Sequence, residues 1–91
     1  LALAPTVTVE LYGVARHRAE CSELIVHGGT ILEVLRAVEH ARPVLTGLVS
    51  EDGSLSRQYL VSFDGERFVE NTRDRVPENA RILILGADPG G

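Results

Sequence analysis

Polar and apolar residues alternate strictly over Thr6-Val7-Thr8-Val9-Glu10-Leu11, which puts Val7, Val9 and Leu11 on one face and predicts a half-buried strand. Tyr12-Gly13 ends it, and Val14 to Glu20 reads as a polar connection carrying Arg16, His17 and Arg18. Glu23-Leu24-Ile25-Val26 predicts a second strand with Leu24 and Val26 toward the core, paired antiparallel with the first. The period then changes. After His27-Gly28-Gly29, Ile31, Val34, Leu35 and Val38 fall at i, i+3, i+4 and i+7, one stripe of an amphipathic helix. Thr30 is the expected N-cap, with Glu33 completing a capping box, and Pro43 stops the helix by Arg42.

Residues 44–58 carry the weakest pattern. Val44, Leu45, Leu48 and Val49 are expected under the edge of the core, and Ser50-Glu51-Asp52-Gly53-Ser54 reads as a mobile surface loop. Tyr59 to Phe63 predicts a third strand. Asp64-Gly65 is a hairpin turn signal, and Arg67-Phe68-Val69 is the short return strand. A polar connection interrupted by Pro77 leads to a last strand, Arg81 to Leu85. The order is β-β-α-β-β-β. It predicts a single α+β domain over residues 1–91, a mixed sheet of four to five strands with one main helix across one face. The last strand is expected parallel to the first, a pairing that requires a helix-containing crossover.

Composition narrows the function classes. A net charge of −4 lacks the basic stripe that a nucleic-acid binder needs. No apolar run approaches the roughly 18 residues that cross a bilayer, so no membrane partner is expected. A single cysteine, Cys21, rules out an internal disulfide and a Cys-rich metal site; it fits a reducing compartment, and a cytoplasmic location is expected. All nine basic residues are arginine, so no side chain of this chain can accept an isopeptide bond.

The final stretch behaves differently from the rest. The apolar run Ile82-Leu83-Ile84-Leu85 gives way to Gly86-Ala87-Asp88-Pro89-Gly90-Gly91, which can pack almost nothing. Pro89 fixes its own φ and pushes Asp88 away from the helical region, so residues 86–91 are expected to leave the domain as an extended, flexible tail. Gly90 and Gly91 have no side chains and can thread a narrow groove of another protein, carboxylate first.

Four pieces, in this order and ending in a diglycine, carry a resemblance. They are Val7-Thr8-Val9-Glu10-Leu11, Gly29-Thr30-Ile31-Leu32-Glu33-Val34-Leu35, Ser62-Phe63-Asp64-Gly65-Glu66, and Arg81 to Leu85 running to Gly90-Gly91. From Val7 to Gly91 the chain resembles the MoaD/ThiS family of ubiquitin-like β-grasp sulfur carriers. That resemblance implies a carrier and not an enzyme. An E1-like adenylyltransferase would join the Gly91 carboxylate to AMP from ATP, and sulfur from a persulfide would displace AMP to leave a thiocarboxylate. The sulfur would pass to an acceptor enzyme such as a molybdopterin synthase large subunit, with thiamine, cysteine and other thio-products as alternatives. No cofactor would be held stably; ATP would be used by the activating partner. The same tail would equally suit a protein modifier, and a β-grasp binding module with an incidental diglycine is a third reading. The chain departs from the molybdopterin pattern where Gly86-Ala87-Asp88-Pro89 replaces the usual Pro-Pro, and in carrying Asp64 where asparagine is usual.

Alternation also predicts a docking face. With Ile82 and Ile84 inward, Leu83 and Leu85 face outward, as do Leu60 and Ser62 on the third strand, so Leu60, Leu83 and Leu85 form a candidate partner-binding patch. His17, His27 and His40 fit no zinc spacing and read as surface histidines, and no metal site is expected. Cys21 reads as a small residue at the start of a strand in preference to a sulfur relay. Gly28-Gly29 reads as a tight strand-to-helix turn in preference to an anion site.

Overall fold

The computed structural model describes residues 4–87. Strand β1 (Thr6–Leu11) alternates as its sequence requires, with Val7, Val9 and Leu11 at most 1% exposed. It pairs antiparallel with β2 (Glu23–His27), Val7 opposite Val26 and Val9 opposite Leu24.

The β1–β2 connection is not the polar loop expected from its sequence. It contains a helix, α1 (Gly13–Ala19). Gly13, at φ 56, turns the chain out of β1, and Ala15 and Ala19, four residues apart, bury the inner face. Glu20 ends the helix in the left-handed region, with its N–H donating to the Arg16 carbonyl at 3.0 Å. Alanines contribute little to a hydrophobic period, and seven residues make only about two turns, so the helical signal was too faint to read.

Helix α2 (Ile31–Ala41) matches expectation closely: Ile31, Val34, Leu35 and Val38 are all fully buried. Thr30 Oγ1 accepts from the Glu33 N–H at 3.2 Å, while Glu33 Oε1 accepts from Gly29 N–H at 2.9 Å, so the box closes one residue further out than the usual form. The remaining donors of the first turn are taken by the chain before the last strand. Ile31 N–H donates to the Asp74 carbonyl and Leu32 N–H to the Thr72 carbonyl. Gly28 permits the junction: a Cβ there would lie 2.8 Å from the Val34 backbone nitrogen.

A short 3-10 turn, Pro43–Leu45, follows α2. Leu45, Leu48 and Val49 are buried as expected, but Val44 is 57% exposed because the turn points it away from the core. The expected surface loop at residues 50–54 closes as a hydrogen-bonded turn. Ser50 N–H donates to the Ser54 carbonyl, Gly53 N–H to the Ser50 carbonyl, and Thr72 Oγ1 to the Gly53 carbonyl. Glu39 Oε2 anchors its base by accepting from Gly47 N–H at 2.9 Å.

Strands β3 (Tyr59–Phe63) and β4 (Arg67–Phe68) form the hairpin signalled by Asp64-Gly65, whose φ values of 54 and 73 give the doubly left-handed turn such a dipeptide favours. Strand β5 (Ala80–Gly86) lies between β1 and β3, parallel to the first and antiparallel to the second. The five-stranded sheet has the order β2-β1-β5-β3-β4, with the core between its inner face and the helices. The α+β class, the mixed sheet and the parallel β1–β5 pairing are as expected. The element order gains α1.

Candidate functional site

The sheet's outer face follows from the pairing register. Leu60 sits opposite Leu85, and Ser62 lies between Leu83 on β5 and Phe68 on β4. Ile82, Ile84 and Val61 point into the core, so Leu60, Leu83 and Leu85 face outward together. Leu60 is 37% exposed, and Leu83 and Leu85 are half-buried. Residues 44–58 therefore leave this face open, their apolar side chains Leu45, Leu48 and Val49 joining the core instead. Ser62, expected to stand open, is 7% exposed between its neighbours. Phe68, 58% exposed, lengthens the apolar strip. It extends the strip beyond the three leucines expected from alternation, where the hairpin register set by Asp64-Gly65 places it beside Ser62.

A polar cluster borders the strip. Glu10 on β1 lies opposite Leu83; its carboxylate accepts from the Tyr12 hydroxyl and pairs with the Arg81 guanidinium. The Tyr12 hydrogen bond, followed by Arg81, holds the Glu10 carboxyl below the usual carboxylate range. The same bond raises the Tyr12 phenol above its ordinary value. Only alternation along β1 hinted at this grouping, since Arg81 is remote in sequence.

The root of the C-terminal segment stands at the end of this strip. Gly86 still pairs with Tyr59 as the last residue of β5, and beyond it the Ala87 N–H donates to the Gln58 carbonyl at 3.0 Å. The first residue of the expected tail therefore belongs to the sheet, and the second is tied to its margin. A Cβ on Gly86 would come within 2.8 Å of Val14 Cγ1, which explains glycine where α1 crosses the strand end. A cleft of about 710 Å³ opens there between Tyr12, Val14, Arg18, Arg57, Tyr59 and Leu85. Arg18 Nη1 donates to the Tyr59 hydroxyl at 2.8 Å. Asp88, Pro89, Gly90 and Gly91, the expected tail and covalent site, lie outside the described residues.

The other candidates are not brought together. His17, His27 and His40 are each exposed on different elements, and Cys21 is half-buried against the core. Among the described residues no three His, Cys, Asp or Glu side chains are grouped to hold a metal, and no helix is long and apolar enough to cross a membrane. The donors at the start of α2 are already engaged within the chain, so Gly28-Gly29 is a packing turn. What the described residues offer chemically is an apolar, partly charged surface beside the end of β5.

Solved structures share this architecture. Small archaeal modifier protein 1 from Methanosarcina acetivorans is similar over 100% of both chains, at 23% identity and a TM-score of 0.81. Its counterpart from Haloferax volcanii matches with a TM-score of 0.80 and 18% identity, over 94% of this chain and 99% of that one. A chain in the BexX/CysO complex of Amycolatopsis orientalis matches at 0.77 and 24%, over 93% and 99%. No protein-family model and no curated protein sequence matches the chain. At these identities the likeness is one of fold: the chain has the ubiquitin-like β-grasp fold, as the sequence resemblance implied.

Proposed function

We propose that the chain is a ubiquitin-like sulfur carrier, itself without catalytic activity, whose covalent site is the Gly91 carboxylate. A carboxylate is a poor acyl donor. An E1-like partner would therefore activate it with ATP as an acyl-adenylate, releasing pyrophosphate. The outer sulfur of a persulfide would displace AMP to form an acyl disulfide. A second thiol would cleave its S–S bond, releasing the thiocarboxylate and leaving a disulfide on the sulfur donor. Gly90 and Pro89 serve passage into a narrow channel, Gly90 by lacking a side chain and Pro89 by holding the chain extended. The acceptor is a biosynthetic synthase, molybdopterin synthase foremost, with thiamine, cysteine or another thio-product as the other pathways. The observation that carries the reading is the open strip of Leu60, Leu83 and Leu85 at the root of the segment that holds Gly90-Gly91. Supporting it, a neighbour of the same fold occurs in complex with a second protein.

Incubation with a cognate activating enzyme, ATP and a sulfur donor should shift the intact mass by the difference between sulfur and oxygen. Deleting Gly91 should abolish the shift, and a truncated chain that still gains it would refute the site. Leu83→Asp should slow activation while leaving the fold unchanged, because the half-buried side chain stands on the docking face and not in the core.

A second reading is favoured by the neighbours named as modifiers: the same activated terminus would be joined to lysines of other proteins. The chain has no lysine and could not be extended into a polymer of itself through side chains. Adducts carrying its terminal residues on cellular proteins would select this reading over the first.

A further inference from the structure

Strand β2 is a sheet edge, and its hydrogen-bonding groups can be assigned from the ladder. Leu11 N–H donates to the Ser22 carbonyl and Gly28 N–H to the Pro5 carbonyl. In an antiparallel pair the bonded residues alternate by two. Leu24 and Val26 therefore exchange their bonds with Val9 and Val7, while the N–H and C=O groups of Glu23, Ile25 and His27 turn away from β1. Among the described residues no partner meets them. Helix α2 covers the inner face of β2, and α1 packs against β5 and the 3-10 turn, so neither lies across the edge.

Open edges are ordinarily blunted by lysine, proline, a bulge or brevity. The opposite edge, β4, is two residues long. Strand β2 has five residues in regular register with no proline, in a chain without lysine, and Ile25 at its centre is 65% exposed. Its side chains are also self-complementary. When β2 is laid antiparallel on another β2 with Ile25 on the two-fold axis, Ile25 meets Ile25 and Leu24 meets Val26. Each Glu23 carboxylate then stands opposite the His27 imidazole of the other copy.

We propose that β2 is a self-association edge: a second copy of this chain pairs antiparallel with it about Ile25, joining two five-stranded sheets into one of ten. Bonds form between the outward groups of Glu23 and His27 and between the two Ile25 residues. The isoleucine pair excludes water on the outer face, and the glutamate–histidine pairs set the register. Strand β5 is separated from this edge by β1, so the outer strip of Leu60, Leu83 and Leu85 stays clear of the pairing.

Sedimentation of the full chain from roughly 10 μM to 1 mM, the range in which small interfaces associate, should show a monomer–dimer equilibrium. Ile25→Lys should weaken it at least tenfold without changing the circular dichroism, because the side chain is exposed. Register is tested by charge exchange. Glu23→Arg and His27→Glu should each weaken the dimer, and the two together should restore it. In a Cys21→Ser background, Ile25→Cys should cross-link on mild oxidation, since paired Cα atoms about 5.5 Å apart fall within disulfide reach. A chain that stays monomeric throughout, a dimer insensitive to Ile25→Lys, or one dispersed instead by Leu60→Asp would overturn the proposal. So would a double variant no better than its singles. None of these results bears on the Gly91 assignment.

Discussion

At the residue scale, two close contacts have measurable consequences. The Glu10 carboxyl is held below its ordinary range by Tyr12 and Arg81, so its contribution to stability is full above the usual carboxylate range and is lost as pH falls through the depressed value. Tyr12, raised by the same bond, contributes below the usual phenol range and loses that contribution as pH climbs through its raised value. Glu10→Gln should flatten both limbs of a stability-against-pH curve measured by chemical denaturation; unchanged limbs would mean the cluster does not persist in solution. Arg81 is half-exposed, so the change should be modest. Gly86 gives a sharper case. Gly86→Ala forces a methyl against a β-branched side chain and should cost about 1–3 kcal/mol, with Val14→Ala in the same chain recovering part of the loss. Such contacts were illegible in the sequence, because nothing in the spacing of Val14 and Gly86 says they meet.

At the element scale, legibility followed the strength of local signals. Strand β1, helix α2 and the Asp64-Gly65 hairpin each combine a clear period with a specific start or turn residue, and each was read nearly to its ends. Helix α1 buries only two alanines, so its sequence carries no apolar stripe to distinguish it from a polar connection. The bonds that close the turn at residues 50–54 come from Thr72 and from within the turn itself, and no periodic pattern in the sequence announces them. For α2, Thr30→Ala removes the acceptor for Glu33 N–H and should lower stability by about 1 kcal/mol in urea melts. Gly28→Ala should be worse than Gly86→Ala, since the atom it meets is backbone and cannot rotate aside.

At the scale of the whole molecule, the topology was legible because a parallel β1–β5 pair and a crossover helix imply each other. The outward placement of Leu60, Leu83 and Leu85 was legible from alternation, and that of Phe68 only through the hairpin register; the terminal glycines were legible only as sequence. Core and surface should separate cleanly in mutation. Ile82→Ala, fully buried in the central strand, should cost about 2–5 kcal/mol, whereas Ile25→Ala on the exposed edge should stay within about 0.5 kcal/mol under the same denaturation assay.

The central position of β5 also decides how the molecule answers tension. It runs parallel to β1, so pulling the C-terminal end away from the N-terminal end draws the two strands lengthwise past each other. Their hydrogen bonds must then yield together and cannot open one at a time like a zipper. A machine gripping the protein by its last residues would meet its greatest resistance at the first pull.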